Sequence, residues 1–180
     1  VAINHHTLLG AGLGSSASLC VGVIAALNQF YNLQLPKSDI AQLGNRLEEQ
    51  FHGRPSGIDT AVVTYQEVIV FSKDNGCTPI RVGAPVSGSH WPFVLIDSGL
   101  RCGTKVMVER ARPFFESIDG RYAIEQFDRI AESVRLGLDI GDVTKVAAGM
   151  NDAATLLENS GTSSEGLRVI IDQARAVGVL

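Results

Sequence analysis

Residues 8–28 read LLGAGLGSSASLCVGVIAALN, and no other stretch limits the fold so tightly. Gly10, Gly12 and Gly14 alternate through a turn that runs directly into Ser15 and Ser16, and small or apolar residues then fill almost every position to Tyr31. Ahead of the turn, Val1 to Leu9 reads as a strand, so the expected unit is strand, glycine turn, helix. Glycine has no Cβ, which leaves main-chain N–H groups open to a bulky anion. A helix starting near Ser16 aims its N-terminal N–H groups and the positive end of its dipole at the same point. The Ser15 and Ser16 hydroxyls can meet phosphate or metal, and a nucleoside triphosphate would suit the turn. Glycines used only for tight packing are the plain alternative, and this motif alone does not decide between them.

Spacing excludes the better-known glycine motifs. A Walker loop needs a Gly-Lys-Ser/Thr ending, and no lysine is present here; the dinucleotide form would need glycine at Ser15. The nucleophile elbow would need a closing glycine at Ser18.

The chain has 180 residues, 45% of them hydrophobic, enough to bury a core in one domain or two small ones. A formal charge of -4 gives no overall basic field for nucleic acid or anionic lipid. No apolar run reaches the roughly 18–20 residues of a membrane span, and no signal peptide is evident. Cys20, Cys77 and Cys102 form no Cys-x-x-Cys pair, which fits reduced thiols in a cytoplasmic protein. The expected partner is therefore a small molecule rather than nucleic acid or membrane, with a homodimer left open.

Along the chain, Ser16 to about Tyr31 reads as a helix buried on most sides. After Pro36, Ser38 is placed to cap a second helix over about Asp39 to Phe51. HGRPSG is a loop, and GIDTAVVTY could be a short helix or a strand. EVIVFS and PIRV read as a hairpin around the turn KDNG, and WPFVLIDS as a further strand. From Thr104 the pattern becomes helical, over Thr104 to Ile118, Tyr122 to Leu138, Val143 to Glu158 and Glu165 to Ala176. Gly141, Gly161 and Gly178 stand at or beyond helix ends, where left-handed caps are favourable. The expected domains are residues 1–85 and 86–180.

A second segment, EEQFHGRPSGIDTA, corroborates the first. Glu48 and Asp59 stand eleven residues apart with a Pro-Ser-Gly loop between them. Beside a triphosphate loop, one carboxylate can help hold Mg²⁺ and the other can orient or deprotonate a hydroxyl nucleophile. That combination is phosphoryl transfer.

Here the sequence resembles a known family, the GHMP kinases. GAGLGSSAS looks like their phosphate-binding motif, and HGRPSGIDTAV is similar to the form this segment takes among the mevalonate-phosphorylating members. The resemblance implies an α+β, two-domain architecture, with an S5 domain 2-like N-terminal part and a helix-rich, ferredoxin-like C-terminal part, incomplete at both ends. It implies ATP and Mg²⁺ as cofactors and a small-molecule hydroxyl, the 5-hydroxyl of mevalonate, as acceptor; phosphomevalonate or a sugar is the alternative acceptor, and a non-catalytic nucleotide-binding fragment is the alternative function. It also implies roles by position: Gly10, Gly12, Leu13, Gly14, Ser15 and Ser16 around the phosphates, Ser16 and Glu48 on the metal, and Asp59 facing the acceptor hydroxyl. In DSGLRCGTKV, Thr104 matches a threonine that borders the family's active site. The chain departs from the family pattern in having Thr60 where asparagine is usual and Cys102-Gly103-Thr104 in place of an Arg-Ser-Thr-like triplet. The family's lysine-bearing strand and Gly-Glu-His segment, and its closing glycine-rich stretch, are not found in these 180 residues.

Other candidates carry less. His52 lies one helical turn after Glu48, but no zinc pattern accompanies the pair. Arg54 and Lys105 are cations near the expected site, for which solvation is the plainer role. Phe114 and Phe115 are expected to pack inward, and Trp91 and the remaining aromatics are assigned to the core.

Overall fold

In the computed structural model the described residues are 10–52, 55–72, 76–86, 88–101 and 103–178. The expected strand Val1 to Leu9, with His5 and His6, lies outside them, as do Arg54, Cys102 and most of the KDNG turn; the side chains of His52, Thr104 and Lys105 are likewise outside the description. The chain divides into two compact units, residues 1–80 and 81–180.

The first unit is built on three mutually packed helices, α1 (Ser15–Phe30), α2 (Lys37–His52) and α3 (Ile58–Tyr65), and a hairpin of β1 (Ile69–Ser72) and β2 (Gly76–Pro79). The ambiguous GIDTAVVTY segment is thus helical. Its buried residues Thr60, Ala61 and Thr64 follow helical spacing, and that burial decides the conformation. Ala17, Cys20 and Val21 form the matching stripe on α1. Gly44 is the pivot: a Cβ there would lie 2.9 Å from Val21 Cγ2 and 3.6 Å from Thr60 Cγ2, so glycine lets all three helices meet.

Three expectations are corrected in this unit. α1 is buried on one face only, leaving Leu27 and Phe30 at 45% and 79% exposure, because α2 and α3 both pack on the stripe carrying Ala17 and Val21. Helix α2 starts directly after Pro36, whose carbonyl accepts from Ile40 N at 3.1 Å; Ser38 lies inside the helix and its hydroxyl turns to Asp39 instead. Strand β2 falls earlier than PIRV, pairing Gly76 to Pro79 antiparallel with Ser72 to Ile69.

The second unit contains α4 (Thr104–Glu116), α5 (Ile118–Ile140), α6 (Val143–Asn159) and α7 (Glu165–Ala176). Ser117, Asp142 and Ser164 cap α5, α6 and α7 by accepting from the N–H groups of Gly120, Lys145 and Leu167. Left-handed Gly141 ends α5, as expected, and Gly161 and Gly178 take the same conformation just beyond α6 and α7. Residues 91–98, expected as a strand, are irregular. Among the described residues no strand lies beside them to accept a backbone ladder, and a lone strand cannot satisfy its own polar groups. Phe114 and Phe115 pack edge to face at 5.2 Å and are half-buried, with Phe127 beyond. Trp91 is half-buried, donating from Nε1 to the Gly83 carbonyl at 3.0 Å and stacking on Phe93. Phe30, Tyr31, Phe51, Phe93 and Tyr122 are more than half exposed, so the assignment of the aromatics to the core fails for these. The α+β class holds, with helices predominating.

Candidate active site

All three glycines of the turn are left-handed. Gly10, Gly12 and Gly14 take φ of 69°, 74° and 65°, while Ala11 and Leu13 between them stay out of the left-handed region. Alternation of this kind curls main-chain N–H groups toward one concave side, a shape that receives anions. Gly14 is also the N-cap of α1, so no capping side chain stands over the helix start. The turn and the helix dipole therefore act on one locus.

Two carboxylates reach that locus from different helices. Glu48, in the last turns of α2, is only 2% exposed, and Ser16 Oγ donates to its Oε1 at 2.8 Å. The contact joins residues 32 positions apart and fixes α2 against the first turn of α1. Asp59 lies in the first turn of α3, exposed, beside the glycine turn: a Cβ on Gly14 would lie 3.9 Å from Asp59 Cβ and 4.0 Å from its Oδ1. Left-handed Gly57, with φ of 88°, caps α3 and aims this turn. Ser16, Glu48, Gly14 and Asp59 are thus brought together. Thr104 opens α4 in the second unit.

Burial beside Glu48 leaves a mark on Cys20, one turn along α1 from Ser16. Desolvation first, and the neighbouring Glu48 charge second, raise its thiol pKa above the usual value. Among the described residues no group of three or more His, Cys, Asp or Glu side chains converges as a metal cage. A hydroxyl and one carboxylate, Ser16 and Glu48, are instead the sparse hard-oxygen set that suits Mg²⁺ when phosphates and water supply its remaining ligands.

Two contributors were missed in the sequence. Thr60, 1% exposed, donates from Oγ1 to the Gly57 carbonyl at 3.0 Å and accepts at its own carbonyl from Thr64 Oγ1 at 2.7 Å, so it stiffens the turn holding Asp59. Gly44 permits the close helix contacts. An isolated glycine within an amphipathic helical pattern was the available signal for the second; a threonine carries none.

Residues 1–67 match the GHMP kinases N terminal domain. The resemblance is to the GHMP kinases. Over its whole length the chain is 30% identical to the mevalonate kinase of Pyrococcus furiosus, covering 54% of that protein. It is 26% identical over 172 residues to that of Aeropyrum pernix, aligning 94% of this chain with 52% of the relative. Against the mevalonate kinase of Methanocaldococcus jannaschii identity rises to 41% over 67 residues, 37% of this chain and 22% of the relative. The crystal structure of L. major mevalonate kinase in complex with R-mevalonate shares the fold, with a TM-score of 0.74 at 23% identity over 92% of this chain and 51% of that one. The GHMP kinase-like chain spans about half the length of the curated relatives it matches.

Proposed function

We propose that this chain carries the nucleotide and catalytic centre of an ATP-dependent phosphotransferase acting on a small-molecule hydroxyl, that of mevalonate. The observation that carries the reading is the Ser16–Glu48 hydrogen bond at the foot of a left-handed glycine turn, with Asp59 against the same turn. The similarity to mevalonate kinases supplies the acceptor. A cytoplasmic location accords with this reading, and no helix among the described residues is long and apolar enough to cross a membrane.

In this reading the chain positions reactants and spreads charge. Residues Gly10 to Ser15 hold the triphosphate through main-chain N–H groups and the α1 dipole. Ser16 and Glu48 would hold Mg²⁺, which when bound neutralises charge on the phosphate oxygens. Asp59 accepts a hydrogen bond from the acceptor hydroxyl and takes its proton as the new P–O bond forms, with ADP leaving. For Thr104 a role in acceptor binding rests on the family resemblance of its motif alone.

Replacing Asp59 with alanine is expected to lower turnover by about 10²-fold or more, with little change in MgATP affinity. ADP release across mevalonate, phosphomevalonate and sugar acceptors measures the first quantity and the thermal shift given by MgATP the second. Near-normal turnover would remove Asp59 from the chemistry; preference for another acceptor would retain phosphoryl transfer and replace mevalonate.

A further inference from the structure

Asp59 is exposed, yet the next residue, Thr60, is only 1% exposed. A hydroxyl taken that far from water needs a partner, and Thr60 Oγ1 donates to the Gly57 carbonyl at 3.0 Å. Ala61 N donates to the same carbonyl, also at 3.0 Å, so the bond from Thr60 is additional to the helix ladder. Threonine is branched at Cβ, and fixing Oγ1 fixes the whole side chain. Its Cγ2 methyl is thereby turned toward α2, where a Cβ on Gly44 would lie 3.6 Å away. One side chain thus ties the turn before Asp59 to the helix that carries Glu48.

The two arms of Thr60 act on different things. Gly57 takes φ of 88°, and a glycine leaves its peptide more freedom than any other residue. The hydroxyl bond restrains the Gly57 carbonyl, and with it the peptide plane that leads into Ile58 and Asp59. Because Asp59 is exposed, packing does not hold its carboxylate, and its place beside Gly14 depends on the backbone beneath it. We infer that Thr60 is a positioning residue: its hydroxyl holds the turn that aims Asp59 at the glycine turn, and its methyl serves the packing of α3 on α2. The effect on turnover rests on the phosphotransfer reading, whereas the effect on the position of Asp59 does not.

Two substitutions separate the arms. Thr60→Val keeps the shape and removes the hydroxyl; the Gly57 carbonyl still accepts from Ala61 N, so no buried acceptor is orphaned and the fold is expected to persist. Thr60→Ser keeps the hydroxyl and removes the methyl, and a lower urea midpoint is expected from the lost contact. In Thr60→Val, NMR relaxation of the Gly57, Ile58 and Asp59 amides is expected to give order parameters below the value of about 0.85 for rigid backbone. Proton cross-relaxation between Gly14 and Asp59 should weaken with it, and both readings should stay as in the parent chain in Thr60→Ser. With mevalonate as acceptor, Thr60→Val is expected to lower kcat about tenfold while the KM for MgATP changes by less than about twofold, and Thr60→Ser to keep about half of the parent kcat or more. Thr60→Ala, lacking both arms, should show both losses and decides the matter if Thr60→Val does not fold. Unchanged order parameters and turnover in Thr60→Val, or equal losses of turnover in Thr60→Val and Thr60→Ser, would overturn the inference, since the hydroxyl would have no role of its own. A parent chain that releases no ADP would instead overturn the phosphotransfer reading, and the relaxation measurements would still decide whether Thr60 holds Asp59.

Discussion

Ser16 and Glu48 show how a single contact sets local chemistry. The hydroxyl holds a nearly buried carboxylate in place, and the carboxylate acts in turn on Cys20. Since desolvation and the Glu48 charge both favour the neutral thiol, Cys20 is expected to react slowly with disulfide reagents at neutral pH. Glu48→Gln removes one of the two causes, so the alkaline midpoint of Cys20 modification should move down while the burial contribution remains. The pH dependence of the modification rate, followed by peptide mass analysis to separate Cys20 from the other thiols, checks this; an unmoved midpoint would mean that burial alone acts on the thiol. Ser16, Glu48 and Asp59 were all legible as candidates, because their residue types and spacing carry chemistry. Thr60 was not, since a buried hydroxyl bonded to a nearby carbonyl looks like any other threonine in sequence.

Among the elements, the contact of α1 with α2 and α3 decides whether the site exists. Gly44→Ala gains about 1 kcal/mol of helix propensity but must displace Val21, at a cost of typically 1–3 kcal/mol for overpacking. A modest net loss is expected in urea unfolding, and a larger one for Gly44→Leu, which must also part α2 from Thr60. The Ser16–Glu48 bond should fail with it, visible as loss of MgATP stabilisation. The loop before α4 is fixed differently. Arg101 makes a two-pronged pair with Asp97 at 2.8 Å on each arm, and Asp97 Oδ1 also accepts from Gly99 N at 3.0 Å. The Arg101 hydrogen bonds foremost, then the Gly99 N–H, hold the Asp97 carboxyl down to about 2. With a folded value below the unfolded one, the pair's contribution is present above the ordinary aspartate range and fades as pH falls through about 2. An NMR titration of the Asp97 carboxyl should place its midpoint there, and Arg101→Gln should return it toward the ordinary range. Helix positions were readable because caps and apolar spacing are local. Residues 91–98 were misread because a short apolar run states only that a segment could join a sheet, whereas pairing depends on a partner elsewhere in the chain.

Across the whole molecule, the two units give the proposal a spatial signature. The residues assigned to phosphates and metal, Gly10 to Ser16 and Glu48, all lie in the first unit, and so does Asp59. MgATP is therefore expected to slow amide hydrogen exchange most at the start of α1, the end of α2 and the first turn of α3, while amides of α5 and α6 change little. Exchange mass spectrometry with and without MgATP reads this directly, and uniform protection of both units would contradict the assignment. The change to a helical pattern from Thr104 was legible, because helical spacing is local. The junction of the three helices was not, because it rests on tertiary contacts between Val21, Gly44 and Thr60 that no local spacing announces.

The left-handed turn has a consequence for how freely this sequence can drift. Any residue with a Cβ pays roughly 1–2 kcal/mol for that conformation, with Asn and Asp the best tolerated. Three such positions in five residues make penalties accumulate, so a double replacement could use up a large part of a domain's typical stability of about 5–15 kcal/mol. Ala11 and Leu13, interleaved with them and free of that constraint, can vary. The turn should therefore persist through divergence as an alternating pattern of fixed and variable sites, a spacing that carries its own trace of backbone geometry even where the surrounding helices have changed beyond recognition.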